Sequence, residues 1–130
     1  MVPRRLTTCT MGAARQLRLF WSPENRVENM IHVIASITIK EGRLSEFLTV
    51  FKSNIPNVIE ESGCIEYVPT IDAPSGLPGQ TRNENVVTII EKWNTLEDLK
   101  KHQSSPHMLA YREKVKDHVV KVSLKILREA

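Results

Sequence analysis

IHVIASITIKEGRLSEFLTVF, residues 31–51, changes its hydrophobic period part-way along, and that change decides the fold. Up to Lys40 the pattern alternates. Ile31, Val33, Ala35, Ile37 and Ile39 share one face, while His32, Ile34, Ser36, Thr38 and Lys40 share the other, which is a strand with one side on a core. Beyond Glu41-Gly42, Leu44, Phe47, Leu48, Phe51, Ile55, Val58 and Ile59 recur at the three- and four-residue spacing of a single helix stripe. Gly63 supplies a stop. Pro56 lies inside this helix and removes a backbone donor, so a kink is expected there.

Downstream, CIEYVPTID reads as a strand, with Pro69 implying a bulge or an edge position because proline cannot donate to a ladder. APSGLPGQTRN is a loop. ENVVTIIEKW, residues 84–93, is a strand apolar on both faces, with Val87, Ile89, Glu91 and Trp93 on one and Val86, Thr88, Ile90 and Lys92 on the other; cover on both sides is expected. Thr95, followed three residues on by Asp98, resembles a capping box opening a short helix through about His102. Ser105-Pro106 restarts it as N-cap and first helical residue, with Met108, Tyr111, Val115 and Val119 as the new stripe. VVKVSLKIL closes the chain as a strand, with Val120, Val122, Leu124 and Ile126 on one face. The order β-α-β-β-α-β gives an α+β, ferredoxin-like domain: a four-stranded antiparallel sheet with the helices on one side. Its other side would expose Ile34, Val86 and Ile90, a patch best buried between two copies of the chain.

At 130 residues the chain holds one ordinary domain. The net charge of +3 belongs to residues 1–29, which carry five Arg against Glu24 and Glu28; the rest is neutral, which argues against a nucleic-acid groove. Those first residues lack an acidic side chain before Glu24 and contain the apolar Leu17, Leu19, Phe20 and Trp21, a composition like that of an organellar transit peptide. The alternative is an upstream-start extension with Met30 as the functional start. Either way residues 1–29 are expected to lie outside the fold, which occupies 30–130. No apolar run approaches the roughly 20 residues of a membrane span. Two cysteines, Cys9 and Cys64, build neither a disulfide framework nor a metal knuckle, so a reducing, cytoplasmic setting is expected.

The residues that carry chemistry cluster after the third strand. His102 and His107 are five apart with Pro106 between them, about 140° around an ideal helix, so they are no preset metal pair; without HExxH or a nearby CxxC, no metal is expected. GxGxxG, a P-loop and CxxCH are absent from the sequence as well, and no cofactor is expected. His102 either meets the last carbonyls of its helix or acts as a base near neutral pH. His107 is either a solvated first-turn residue or a second proton-handling group. Trp93 and Tyr67 are either core or, with Phe51, the aromatic walls of a binding box, and Glu91 matters if its face is buried.

IASITIKEGRLSEFLTVF, EESGCIEYVPTID and TIIEKWNTLEDLKKHQSSPHM, followed by a terminal strand, resemble the antibiotic biosynthesis monooxygenase (ABM) domain family, small dimeric α/β barrels that include bacterial quinol monooxygenases. The resemblance spans residues 31–128 and rests on Gly63-Cys64 leading into Tyr67, Glu91 two before Trp93, and His102 followed by Ser105-Pro106-His107. It implies a homodimer acting on a small aromatic substrate and O2, a cofactor-independent monooxygenase oxidising a quinol or polyphenol. His102, His107 and Trp93 would then be catalytic, and Tyr67, Phe51 and Glu91 would bind substrate. Two departures stand out: the first strand has no Asn, and Ile89 occupies a place where some family oxygenases carry another. Two alternatives remain open, an isomerase of a small phosphorylated keto-sugar and a non-catalytic ligand-binding or stress-response dimer. Basic residues beside the histidines would favour the phosphorylated substrate, an apolar aromatic cavity the quinol, and a filled cavity the non-catalytic dimer.

Overall fold

The computed structural model of the protein describes residues 30–130; the segment 1–29 lies outside the described residues, as does the expectation made of it. Seven elements follow one another: β1 (Ile31–Ile39), α1 (Leu44–Ile59), β2 (Cys64–Thr70), β3 (Val86–Trp93), α2 (Leu96–Gln103), α3 (Pro106–Val115) and β4 (Val119–Leu127). The strands form one sheet in the order β2-β3-β1-β4, every neighbour antiparallel. This is the ferredoxin-like α+β fold, with the second helix in two pieces.

The alternation of β1 is obeyed residue by residue: Ile31, Val33, Ala35, Ile37 and Ile39 are buried, and the residues between them are not. Opposite them on β3, Val87, Ile89, Glu91 and Trp93 face the same way and are buried as well. Onto this inner face α1 packs Phe47, Phe51 and Val58, and α3 packs Met108, Tyr111 and Val115. Each large apolar side chain so enclosed contributes roughly 1.5–3 kcal/mol relative to exposure. Helix α1 runs through Pro56, which does not end it. Pro69 is accommodated because β2 is an edge strand; the register irregularity of β2 lies instead between Cys64 and Glu66.

Among the described residues nothing covers the outer face of β3, whose Ile90 is 36% exposed beside Val68 of β2 at 40%, the exposure expected of this face in a single copy. Two other expectations need correction. Val119 opens β4 rather than extending the helical stripe, and pairs with Ile39 at a register shift. Ser105 has the extended backbone of an N-cap, but its hydroxyl donates to the His102 carbonyl (3.0 Å) instead of receiving an amide of α3. That bond closes the end of α2, and Pro106 needs no donor at the first helical position. The Thr95 cap is as expected, its hydroxyl accepting the Asp98 amide at 3.1 Å.

Gly63 couples the start of β2 to that cap. Its φ of +84° lies in the left-handed region, and its carbonyl accepts from Asn94 N at 2.8 Å. A Cβ at this position would overlap the Asp98 carboxyl group. Gly63→Ala is therefore expected to combine backbone strain of about 1 kcal/mol with loss of the α2 cap, about another 1 kcal/mol. Urea denaturation reads the sum, and a midpoint equal to that of the native protein would contradict it.

Candidate functional site

Between the helices and the inner face of the sheet lies a cavity of about 290 Å³. Its floor is Ala35 and Ile37 of β1 with Ile89 and Glu91 of β3, and its aromatic walls are Phe51, Tyr67 and Tyr111. His102 and Gln103 close the α2 side, while Lys116, Val122 and Leu124 form an exposed rim. Phe51 and Tyr67 are stacked, ring centroids 5.3 Å apart at 11°, and Tyr111 meets Phe51 edge-on at 5.7 Å. Flat rings already set against one another give a third ring a preformed surface.

His102 is fixed by a residue outside every regular element. Glu61, in the turn after α1, places Oε2 at 3.0 Å from His102 Nδ1 and 2.8 Å from His107 Nε2. A carboxylate only accepts, so His102 carries its proton on Nδ1 and His107 on Nε2. The remaining nitrogen of His107, Nδ1, accepts from Asn54 Nδ2 at 3.2 Å, which fits that tautomer. His102 is fully buried, and burial, partly opposed by Glu61, lowers its pKa below the usual histidine value. The ring is thus neutral near pH 7, and Nε2 is the nitrogen left with a lone pair for the cavity.

Glu91 stands on the floor, 4% exposed. The indole Nε1–H of Trp93 donates to its Oε1 at 2.9 Å, which favours the carboxylate, but burial outweighs this and, with repulsion from Glu61, pushes the pKa up to about 7. The Tyr67 and Tyr111 phenols are pushed above their usual value, mainly by burial, and remain donors. Burial also raises the Cys64 thiol to about 12, so it offers no thiolate. Among the described residues no three His, Cys, Asp or Glu side chains are placed to share a metal ion.

Of the residues singled out in the sequence, His102, Tyr67, Phe51 and Glu91 meet at this cavity. Trp93 does not. It is completely buried behind His102, ring centroids 4.7 Å apart, so the wall expected of it falls to Phe51, Tyr67 and Tyr111. His107 faces away, toward Asn54 and the outer side of α1 and α3, and reaches the site only through Glu61. Glu61 itself gave no sequence signal, being an acid in a turn whose partner lies 41 residues away. Tyr111 showed only as part of a helical stripe. Arg112 also lines the cavity, its guanidinium donating to Gln103 Oε1 at 2.8 Å.

Residues 30–114 match the family model described as "Antibiotic biosynthesis monooxygenase". The chain belongs to this family. It is 34% identical over 101 residues to the "Probable quinol monooxygenase YgiN" of Escherichia coli strain K12, an alignment covering 76% of this chain and 97% of that protein. The protein of the same description from Shigella flexneri matches to the same extent. Among solved structures, a conserved protein from Methanosarcina mazei Go1 superposes with a TM-score of 0.69 at 23% identity, covering 80% of this chain and 96% of its own, a likeness of fold alone.

In this ABM-family chain the buried Glu91 makes stability depend on pH. Its folded pKa, about 7, lies above the ordinary 4.5, so the folded state holds this proton more tightly than the unfolded one. That contribution is fully present below about pH 4.5 and is lost as pH rises through about 7. Glu91→Gln, which keeps the acceptor for Trp93, should gain stability over the native protein between pH 5 and pH 8 by about 2–3 kcal/mol, at about 1.4 kcal/mol per pH unit separating the two pKa values. Paired denaturation curves at the two pH values measure the gain, and a pH-independent difference would show that Glu91 ionises normally.

Proposed function

We propose that the protein is a cofactor-independent monooxygenase that oxidises a quinol or polyphenol with O2, working as a homodimer. The observation that carries this reading is His102: a neutral imidazole, locked in one tautomer by Glu61, with its free nitrogen on an apolar cavity walled by three aromatic rings. The substrate ring lies against Phe51, Tyr67 and Tyr111, and Nε2 takes the proton of one hydroxyl while Glu91 binds the other. The resulting quinolate gives an electron to O2, and the semiquinone and superoxide combine at a ring carbon as a hydroperoxide. Loss of water leaves a hydroxyquinone, so one quinol and one O2 become one hydroxyquinone and one water. The bound ring and the aromatic walls would shield the reactive anion from bulk water. Membership of the ABM family and the description of the E. coli relative support the same reaction class.

One observation favours a phosphorylated keto-sugar: Arg112 and Lys116 at the cavity. Against it, Lys116 already pairs with Glu113 at 2.5 Å, the only charged group of the floor described above is the acid Glu91, and a phosphate dianion calls for several convergent donors. An open cavity weighs against the non-catalytic dimer. Homodimerisation is supported by the sheet face opposite the helices, where Ile34, Val68, Val86 and Ile90 form an apolar patch that none of the described residues covers.

Oxygen uptake by metal-stripped protein across a panel of quinols, with mass spectrometry of the products, tests the reaction, and sedimentation of the same preparation tests the dimer. At least one quinol should consume one O2 per molecule and gain one oxygen atom. His102→Gln should slow this by about 10²- to 10⁴-fold, the usual cost of removing a general base. Full activity in His102→Gln, activity lost on chelation and restored by metal, or a stable monomer at micromolar concentration would each contradict the corresponding part.

A further inference from the structure

The surroundings of Glu91 suit it to more than binding a substrate hydroxyl. It is buried on the cavity floor, and among the described residues no Lys, Arg or His nitrogen stands within 4 Å of its carboxyl oxygens to form an ion pair. Oε1 is held by the Trp93 indole, which leaves Oε2 for the cavity. The same indole lies against the ring of His102, so one rigid side chain sets the spacing of both groups. We propose that Glu91 is the second catalytic group: the acid that protonates the hydroxide leaving the substrate hydroperoxide when its O–O bond breaks. This rests on the quinol reading and goes beyond it.

His102 Nε2 takes the first hydroxyl proton, and that proton passes to the distal peroxide oxygen once the C–O bond has formed, leaving His102 neutral. His102 then removes the proton from the ring carbon that bears the peroxide. The C–H electron pair becomes the new C=O bond, the O–O pair departs on hydroxide, and Glu91 supplies the proton that makes it water. Proton return from His102 to Glu91 resets the site. Without an acid at this place the hydroperoxide has another exit, expulsion of peroxide, which gives unmodified quinone and H2O2 from the same atoms.

The carboxyl group is protonated over a useful range because burial, and then Glu61, hold its pKa near neutrality. The titratable and charged groups around it are Glu61 after α1, Cys64 and Tyr67 of β2, His102 of α2, Tyr111 and Arg112 of α3, and Lys116 on the rim. Glu91, with a pKa pushed up to about 7, accounts for the alkaline limb of a rate profile, and His102, its pKa lowered by burial, for the acid limb.

The experiment is the pH dependence of kcat/KM and the product balance for a quinol that the native protein oxidises. The native profile should rise as His102 loses its proton and fall near pH 7 as Glu91 loses its own. In Glu91→Gln the alkaline limb should vanish, hydroxyquinone formation should drop about 10²-fold, and H2O2 with unmodified quinone should appear. Glu91→Asp should restore part of the coupling. Trp93→Phe removes the hydrogen bond that favours the carboxylate, so its alkaline limb should move to higher pH, a readout that stands even if Glu91→Gln fails to fold. A Glu91→Gln protein that makes hydroxyquinone at the native rate, or an unmoved limb in Trp93→Phe, overturns the role of Glu91 and leaves the quinol reading intact. No O2 consumption with any quinol by the native protein overturns both.

Discussion

The inner face of the sheet carries apolar residues on all four strands, and the helices cover three of them. Phe47, Phe51 and Val58 of α1 and the shorter α2 and α3 enclose β1, β2 and β3, whereas Val122, Leu124 and Ile126 of β4, registered beside Ile37, Ala35 and Val33, stay about half exposed. A helix layer narrower than its sheet leaves a gap at one side. That gap is the mouth of the cavity, and its depth is set by where the second helix breaks. Ser105-Pro106 ends α2 at His102 and Gln103 and re-aims the chain, so that Met108, Tyr111 and Val115 of α3 line the opposite wall. A single unbroken helix here would carry its stripe straight past the site.

Within the cavity, environment rather than residue type assigns the chemical roles. The same burial that keeps His102 neutral keeps the Glu91 carboxyl about half protonated at pH 7, because desolvation penalises whichever form is charged. Glu61 acts on both. Its negative charge opposes the depression of His102 and adds to the elevation of Glu91, while its Oε2 selects the imidazole tautomer that leaves Nε2 free. His107 serves this arrangement from outside, as the second N–H donor that holds Glu61 in place.

Periodicity made the architecture legible. Strand and helix periods locate six of the seven elements, because each repeats its apolar residues on one face at a fixed interval, and the Thr95–Asp98 capping box locates α2. Inward positions are legible for the same reason, and Phe51 and Glu91 belong to periodic faces, whereas Tyr67 stands out as an aromatic in the motif that follows Gly63-Cys64. What a period cannot distinguish is a residue that fills the core from one that borders a hole in it, which is why Trp93, at an inward position one step along β3 from the cavity floor, is packed solid behind His102. Glu61 was invisible on different grounds. It sits in a turn, outside any repeating pattern, and what makes it important is a tertiary contact with side chains from two other helices, α2 and α3. The outward turn of His107 follows from the change of direction at Pro106, which sequence placed but did not orient.

The claim that most of this account depends on is that an aromatic diol lies in the cavity with one oxygen at His102 and the other at Glu91. A crystal structure of the protein with a slowly oxidised quinol under anaerobic conditions tests it most directly. The account predicts the ring against Phe51, Tyr67 and Tyr111, one hydroxyl at about 2.6–3.2 Å from His102 Nε2 and the other within the same reach of the Glu91 carboxyl group. A quinol bound elsewhere, or a cavity closed by collapse of Tyr111 and Met108 onto Ile89, would contradict it.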